Sequence, residues 1–271
     1  MRAKQERRDA HESTVVRFLG IAIASFLLLP VVFIVFYSFQ SGIYFTLLPS
    51  GLSIKWFSSF FASATFRRAL WTSLSIAGLV TPLCCLVAVP TALALVRGNL
   101  PGREVINAFL LSPIIVPGVV TGIAFLSLFS RTDSGSSFVR LIIAMTCFAL
   151  PFAVRSVVAN LHGLPTVIEE AARDLGASSR QLFFHVILPQ LRPGLLAGAI
   201  FVFVEAIDNF SIAAFLTDTR TTTLPVEAYS YIRDFDDPTV AAMATLLIAL
   251  STGLLFLAER VIGLEGFLRL N

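Results

Sequence analysis

Two carboxylates lie within an apolar stretch of this 271-residue chain, and they are its first candidates for chemistry. Glu205 and Asp208 are three residues apart, a spacing that puts both on one face of a helix. Asn209 and Phe210 follow directly. Because ionisable residues inside apolar helices are costly and usually functional, we predict that these four residues line or gate a path for a cation. The alternative is a structural ion pair or hydrogen bond with another segment.

Residues for catalysis are otherwise scarce. Neither the three histidines nor the three cysteines have the spacing of metal ligands. The two lysines, Lys4 and Lys55, do not belong to a GxxxxGK[ST] phosphate-binding loop, and neither HExxH nor GxSxG occurs. We therefore expect no catalysis, no cofactor and no metal site in this chain, and any energy source must be another protein.

The composition indicates that these carboxylates are held by membrane helices. Hydrophobic residues make up 56% of the chain, charged residues make up 14%, and the mean hydropathy is +0.84. Soluble domains carry about 25% charged residues. The net charge of +3 comes from basic residues scattered between apolar blocks, which excludes nucleic-acid binding. We predict an all-α polytopic protein embedded in membrane lipid.

Six segments are candidates for membrane spans, since a helix needs about 20 apolar residues to cross the hydrocarbon core. They are Phe18–Phe39, the stretches from Arg68 to Arg97, Glu104 to Arg131 and Arg140 to Arg155, the segment from about Pro193 to Thr217, and the stretch from Asp237 to Glu259. The fourth is short, because only 14 residues separate its two arginines. It can span if both arginines extend toward the headgroups.

The distribution of basic residues predicts that both termini are cytoplasmic. With the N-terminus inside, 13 Lys and Arg residues fall in cytoplasmic segments and 7 in outer segments. We therefore expect a cytoplasmic segment over residues 1–17, a six-span domain over 18–262 and a cytoplasmic tail over 263–271.

Two small-xxx-small patterns, Gly118 to Gly122 and Gly194 to Gly198, suit close helix contacts, either within the chain or with a second subunit. Five acidic residues of the predicted outer segments either contact a partner protein outside the membrane or belong to a solvated loop. They are Asp218, Glu227, Asp234, Asp236 and Asp237.

The loop over residues 159–192 is predicted to be cytoplasmic and to contain two short helices. Pro165 suits the first turn of one helix. Gly176 suits the left-handed residue after its end, and Ser178 with Gln181 forms a capping box for the next helix, which Pro189 follows. Ile168, Ala171, Ala172 and Leu175 form an apolar stripe, and Glu169, Glu170, Arg173, Asp174 and Arg180 are expected to make charged contacts around it. Such a loop either docks on a partner or lies on the headgroups.

The same loop resembles the EAA loop in permease subunits of type I, binding-protein-dependent ATP-binding-cassette (ABC) importers. That pattern is E-A-A, three residues, G, nine residues, I, one residue, L-P. Here it reads Glu170-Ala171-Ala172, Gly176, Val186 and Leu188-Pro189, with Val in place of Ile.

The resemblance implies the type I permease fold, with a coupling helix that docks on a cytoplasmic ATPase dimer. The residues that it implies for coupling are Glu170, Ala171, Ala172, Asp174, Gly176, Leu188 and Pro189. It also implies a second permease subunit in a heterodimer, a periplasmic binding protein that delivers a small-molecule substrate, and the bacterial inner membrane. ATP hydrolysis would belong to the separate ATPase subunit.

Three further stretches resemble the spermidine/putrescine branch of this family. They are residues 51–57, 112–122 and 223–233. That branch often carries adjacent acids in span five, whereas this chain has Asp208-Asn209 with Glu205 nearby. We expect a polyamine substrate. The alternatives are 2-aminoethylphosphonate, an amino-acid-like amine or ferric ion in the same importer class, or a self-sufficient secondary carrier.

Overall fold

The computed structural model describes residues 2–43, 51–132 and 135–262, and the regular elements within these ranges are helices. The predicted all-α class is confirmed. In chain order the helices are α1 (Arg2–Ser38), α2 (Lys55–Ala62), α3 (Ala64–Arg97), α4 (Arg103–Ile115), α5 (Gly118–Ser130), α6 (Ser137–His162), α7 (Val167–Asp174), α8 (Ser179–Gln181), a π-helical segment (Leu182–Ile187), α9 (Leu188–Gln190), α10 (Arg192–Asp208), α11 (Phe210–Leu216), α12 (Leu224–Asp234) and α13 (Thr239–Ile262).

The predicted number of six spans agrees with the number of helices that are apolar enough to cross a membrane, if each bent pair is counted as one span. Four single helices qualify, and two bent helix pairs raise the number to six within the described ranges. The single helices are Val16–Ser38, Ala64–Arg97, Ser137–His162 and Thr239–Leu257. The helix of the fourth span is longer than the 14 residues between its arginines, because α6 has 26 residues and contains both Arg140 and Arg155.

The chain forms two compact units, which are described separately. The first comprises Met1–Ala62 and Tyr231–Ile248. Here the apolar part of α1 is not buried within the chain, and side chains such as Phe26, 76% exposed, are left for lipid or another subunit. The indole N–H of Trp56 in α2 donates a 2.7 Å hydrogen bond to the Gln40 carbonyl, which ties α2 to the end of α1.

The second unit comprises Ser63–Ser230 and Ala249–Asn271, and it is built on α3, α6 and α10, which pack along one another. Small residues occupy many of the buried positions of α3 and α6. Examples are Ala77, Ala88, Ala92, Ala144, Ala149 and Ala153. Small side chains let helix backbones approach closely, which is the main source of helix association where lipid is as apolar as the side chains.

Glycines of α10 make the closest of these approaches. Gly194 lies directly against the Asn160 side chain of α6, and a Cβ at Gly198 would lie 3.1 Å from the Ala153 Cα. The Ser156 hydroxyl donates a 2.8 Å hydrogen bond to the Gly194 carbonyl. This small-xxx-small pattern therefore packs within the chain.

The third predicted span is two helices rather than one. α4 and α5 meet at 102°, with Val116 and Pro117 between them. A residue before proline is pushed toward extended geometry, and Val116 accordingly has φ −76° and ψ 129°. After the bend, Gly118 and Gly122 lie against residues of α11, so this second glycine pattern also packs within the chain.

The fifth predicted span is also interrupted. α10 ends at Asp208 and α11 begins at Phe210, because Asn209 has φ −71° and ψ 98° and leaves the helix. At its other end, α10 meets the preceding helical segment, Ser179–Gln190, at 64°. A continuous helix from Pro193 to Thr217 is therefore wrong, and the break falls beside the predicted carboxylates.

Gly194→Ala should destabilise the chain, because the added Cβ would collide with the Asn160 side chain. Overpacking of this kind costs about 1–3 kcal/mol. We expect a lower apparent melting temperature when the full-length chain is heated in detergent and its monodisperse fraction is followed. Gly78→Ala in α3 is the control, because a Cβ there meets no heavy atom within 4 Å and should not lower the melting temperature. Equal melting temperatures for Gly194→Ala and the wild type would contradict this packing.

Candidate functional site

The first helix of the 159–192 loop ends in the turn that its glycine predicts. Gly176 has φ +85°, in the left-handed region, which confirms the prediction. Its N–H donates to the Arg173 carbonyl at 2.8 Å, and the Ala177 N–H donates to the Ala172 carbonyl at 3.0 Å. These two bonds make a Schellman motif, which satisfies the last carbonyls of α7. The start of α7 is later than expected, since it begins at Val167 and Pro165 precedes its first turn.

The second helix starts as predicted but does not stop at its proline. Ser178 and Gln181 form the capping box: the Gln181 N–H donates to the Ser178 hydroxyl oxygen, and the Ser178 N–H donates to Gln181 Oε1 at 2.9 Å. Helix then continues through the π-helical segment and α9, so that Pro189 lies inside it. In a regular α-helix the proline ring would clash with the His185 carbonyl, and the wider π turn avoids that clash.

Large apolar side chains are exposed on α7, at the turn after it and on the helix that follows, and we call this set of residues the coupling surface. Its large apolar side chains are Val167 (68% exposed), Ile168 (47%), Leu175 (90%) and Phe184 (52%). Glu170, Ala171 and Asp174 are exposed among them, and Ala172 is half-buried. Leu188 and Pro189 are half-buried as well. Exposed apolar groups rimmed by charge are typical of protein interfaces.

Glu169 does not belong to the coupling surface, contrary to the expectation from sequence. It is 9% exposed and turns inward, where its Oε1 lies 3.1 Å from Arg97 Nη2 at the end of α3. The same Arg97 nitrogen donates to the Leu164 carbonyl at 2.9 Å. Residues 97 and 169 are far apart in the chain, and no sequence pattern links them.

The predicted path residues gather at the break between α10 and α11. Asn209 caps α11, because its Oδ1 accepts the Ile212 N–H at 2.9 Å. Its Nδ2 donates to Glu205 Oε1 at 3.0 Å. Phe210 lies against the Tyr229 ring, with centroids 4.9 Å apart. Asn209 is thus a structural cap, a role that sequence reasoning missed although Asn is a common N-cap residue.

Asp208 differs from its neighbours in the group. It is exposed, and it makes no hydrogen bond or ion pair with another described residue. It is also the last residue of α10, where the helix dipole and the terminal carbonyls are negative. A carboxylate is unfavourable at that position, whereas a cation beside it would be attracted by both the carboxylate and the helix end.

Two of the five acids predicted to lie in outer segments have structural roles. Asp218 accepts hydrogen bonds from the Ser137 hydroxyl at 2.7 Å and from the N–H groups of Arg220 and Thr221. These bonds, led by that of Ser137, lower the pKa of the Asp218 carboxyl. Asp237 accepts from the Tyr231 hydroxyl and from the backbone at the start of α13.

The other three of these acids differ in their burial. Asp234 and Asp236 are exposed, and Glu227 is half-buried, with a pKa that burial raises. No group of three or more His, Cys, Asp or Glu side chains suited to a metal ion occurs in the described parts of the chain.

Comparison with known proteins shows which family and which relatives this chain resembles. Residues 86–262 match the family described as "Binding-protein-dependent transport system inner membrane component". The spermidine/putrescine transport system permease protein PotC of Haemophilus influenzae is 28% identical over 237 residues, which are 88% of this chain and 92% of that protein. PotC of Escherichia coli K12 is 30% identical over 230 residues, 85% of this chain and 87% of that protein.

A solved structure shares the fold. A chain of a bacterial alginate ABC transporter, in complex with its alginate-bound periplasmic protein, superposes with a TM-score of 0.68. The match covers 95% of each chain at 15% identity. The family match over residues 86–262 and the 30% identity to the E. coli relative show that the chain belongs to the binding-protein-dependent transport system inner membrane components.

Proposed function

We propose that this chain is a permease subunit of an ATP-driven importer, and that its coupling surface is the site at which the ATPase docks. The observation that carries the proposal is the exposed tip of the EAA-like loop. Leu175, 90% exposed, is held at the end of α7 by the Gly176 turn, beside Glu170 and Ala171. A side chain so exposed adds nothing to the folding of the isolated chain, but it is available for burial in a groove on a partner.

The importer would work by coupling the closure of an ATPase dimer to a change in the permease. ATP binding would close the dimer, draw the coupling surfaces of two permease subunits together and open the permease pair toward the outside. A periplasmic binding protein would then deliver the substrate, and hydrolysis in the ATPase subunits would reset the system. In this arrangement both termini are cytoplasmic, the second permease is a different chain, and this chain catalyses no reaction.

We propose a polyamine as the substrate. The relatives of H. influenzae and E. coli are named for spermidine and putrescine transport. The residues at the break of span five support a cationic substrate, because the Asp208 carboxylate and the terminal carbonyls of α10 concentrate negative charge at an exposed position.

A single-amine substrate is the second candidate. The Asn209 amide already donates to Glu205, so that Asp208 is the only carboxylate of this pair without a hydrogen-bond partner in the described ranges. One accessible carboxylate suits one ammonium group, as in an amino-acid-like amine or 2-aminoethylphosphonate.

Uptake of labelled putrescine, by cells with and without this chain and with the rest of the system intact, tests the proposal. We expect uptake that requires the chain and is blocked by excess unlabelled spermidine. Block by γ-aminobutyrate or 2-aminoethylphosphonate but not by spermidine would support the single-amine substrate. If the complex assembles and no putrescine uptake depends on the chain, polyamines are not its substrates.

Asp208→Asn should lower the initial rate of labelled putrescine uptake by about tenfold or more. A hydrogen bond to a charged group contributes about 1.5–3 kcal/mol, and about 1.4 kcal/mol corresponds to tenfold. Glu205→Gln should have a smaller effect, because glutamine keeps the oxygen that accepts from Asn209. Glu104→Gln, an exposed carboxylate of α4, is the control. Wild-type uptake by Asp208→Asn, at equal membrane levels, would remove Asp208 from the path.

Leu175→Ser should weaken ATPase docking while the chain folds and inserts normally. Burying a leucine contributes about 1.5–3 kcal/mol, so the affinity for the ATPase should fall by at least about tenfold. Co-purification of the ATPase with the permease pair at graded ATPase concentrations measures this. Leu52→Ser, at a leucine 73% exposed in the first unit, is the matched control. Unchanged co-purification of Leu175→Ser would exclude the tip as the docking site.

Gly176→Val should also disrupt coupling, through the backbone rather than through a clash. A Cβ at this position meets no heavy atom within 4 Å, but a β-branched residue is strained at φ +85°. The left-handed conformation costs about 1–2 kcal/mol for residues with a Cβ, and asparagine adopts it more readily than most. Putrescine uptake should therefore fall in the order wild type, Gly176→Asn, Gly176→Val. Equal uptake by all three would show that the turn is not needed.

A further inference from the structure

Arg97 joins the membrane helix α3 to the loop that carries the coupling surface. It is the last residue of α3, and its Nη2 contacts two groups. One is Glu169 Oε1 of α7 at 3.1 Å, and the other is the Leu164 carbonyl, just before α7, at 2.9 Å. One guanidinium therefore holds both α7 and the segment that leads into it.

This contact is shielded from water. The Arg97 side chain is 24% exposed and that of Glu169 is 11% exposed. The Arg97 Nε is buried and has no hydrogen-bond partner within the described residues. When one partner of such a pair is removed, the other is left as a poorly solvated charge. The pair therefore favours one relative position of α3 and α7 over positions that separate the two charges.

The charged side chains of α7 point in two directions. Glu170 is exposed on the coupling surface, whereas the adjacent Glu169 turns to Arg97. Glu170, Arg173 and Asp174 form no ion pair within the described parts of the chain, so Glu169 is the one charged residue of α7 that is paired with a membrane helix there. Successive residues on a helix point about 100° apart, which lets two neighbouring glutamates serve two partners.

We infer that Arg97 and Glu169 are positioning residues that transmit displacement of α7 to α3. The inference rests on the proposed function, in which an ATPase moves the coupling surface. Because α3 packs along α10, whose last residue is Asp208, a displacement carried to α3 reaches the helix that holds the candidate path. Glu170 would receive the movement from the ATPase, and Glu169 would pass it to the membrane helices.

The test compares transport with ATP hydrolysis in proteoliposomes that contain the complete importer and labelled putrescine. The variants are Arg97→Met, which keeps the length of the side chain without its charge, Glu169→Gln, and the exchanged pair Arg97→Glu with Glu169→Arg. Arg103→Met, at an exposed arginine of α4 without an ion pair in the described ranges, is the control. Each variant is first checked for co-purification with the ATPase.

We expect Arg97→Met to assemble and hydrolyse ATP but to move about tenfold less putrescine per ATP. An ion pair that only stabilised the loop would instead lower transport and ATP hydrolysis together. The exchanged pair should recover part of the lost ratio, because it restores the ion pair with residue 169 but not the hydrogen bond to the Leu164 carbonyl. A wild-type ratio in Arg97→Met would overturn the inference, as would a parallel loss of transport and ATP hydrolysis in an Arg97→Met complex that assembles. If no ATPase co-purifies with the wild-type chain, the proposed function fails, and the inference fails with it.

Discussion

A backbone that crosses a bilayer has to satisfy its own hydrogen bonds, because hydrocarbon offers no partners. The fold of this chain depends on that constraint most clearly where its helices are interrupted. At the break after α10, the Asn209 side chain accepts the Ile212 N–H and so replaces a lost backbone acceptor. A side chain thus makes non-helical geometry tolerable at the position where it is used.

The packing of α3, α6 and α10 forms the scaffold that holds the interrupted helix in place. Gly194 and Gly198 bring α10 close to α6, and this close approach sets where α10 can lie. The end of α10 carries Asp208, and the buried Asn209 holds Glu205 and the start of α11 together. The carboxylates are therefore placed by helix contacts that involve few polar groups, and the polar groups at the break fix the local geometry.

The loop after α6 combines a fixed shape with an exposed tip. The Schellman turn and the capping box satisfy the backbone at both sides of Gly176, so the shape does not depend on a partner. The inward contact of Glu169 with Arg97 anchors this shape to α3. Leu175 and Ile168 are left exposed by the same geometry. An element that is rigid, anchored and apolar at its tip is suited to receive force from a soluble partner.

Local signals in the sequence were enough for much of this description. Hydropathy predicted an all-helical membrane protein with six spans, since span length follows from the thickness of the bilayer, and the structure has four such helices or six if each bent pair is one span within the described ranges. Gly176, Ser178 and Gln181 predicted the turn between the loop helices, because the conformations of caps depend on residues three or four apart. The EAA-like spacing and the family that it indicated were readable for the same reason, as short patterns in one segment.

Contacts between distant segments decided the rest. Arg97 and Glu169 meet only because the end of α3 lies beside the start of α7, and no spacing in the chain encodes that meeting. The break at Asn209 and the bend before Pro117 depend on whether neighbouring helices can cover the freed backbone, so a hydropathy count could not reveal them. Glu169 and Glu170 are chemically identical neighbours in the sequence. Their different surroundings make one an internal tie and leave the other exposed.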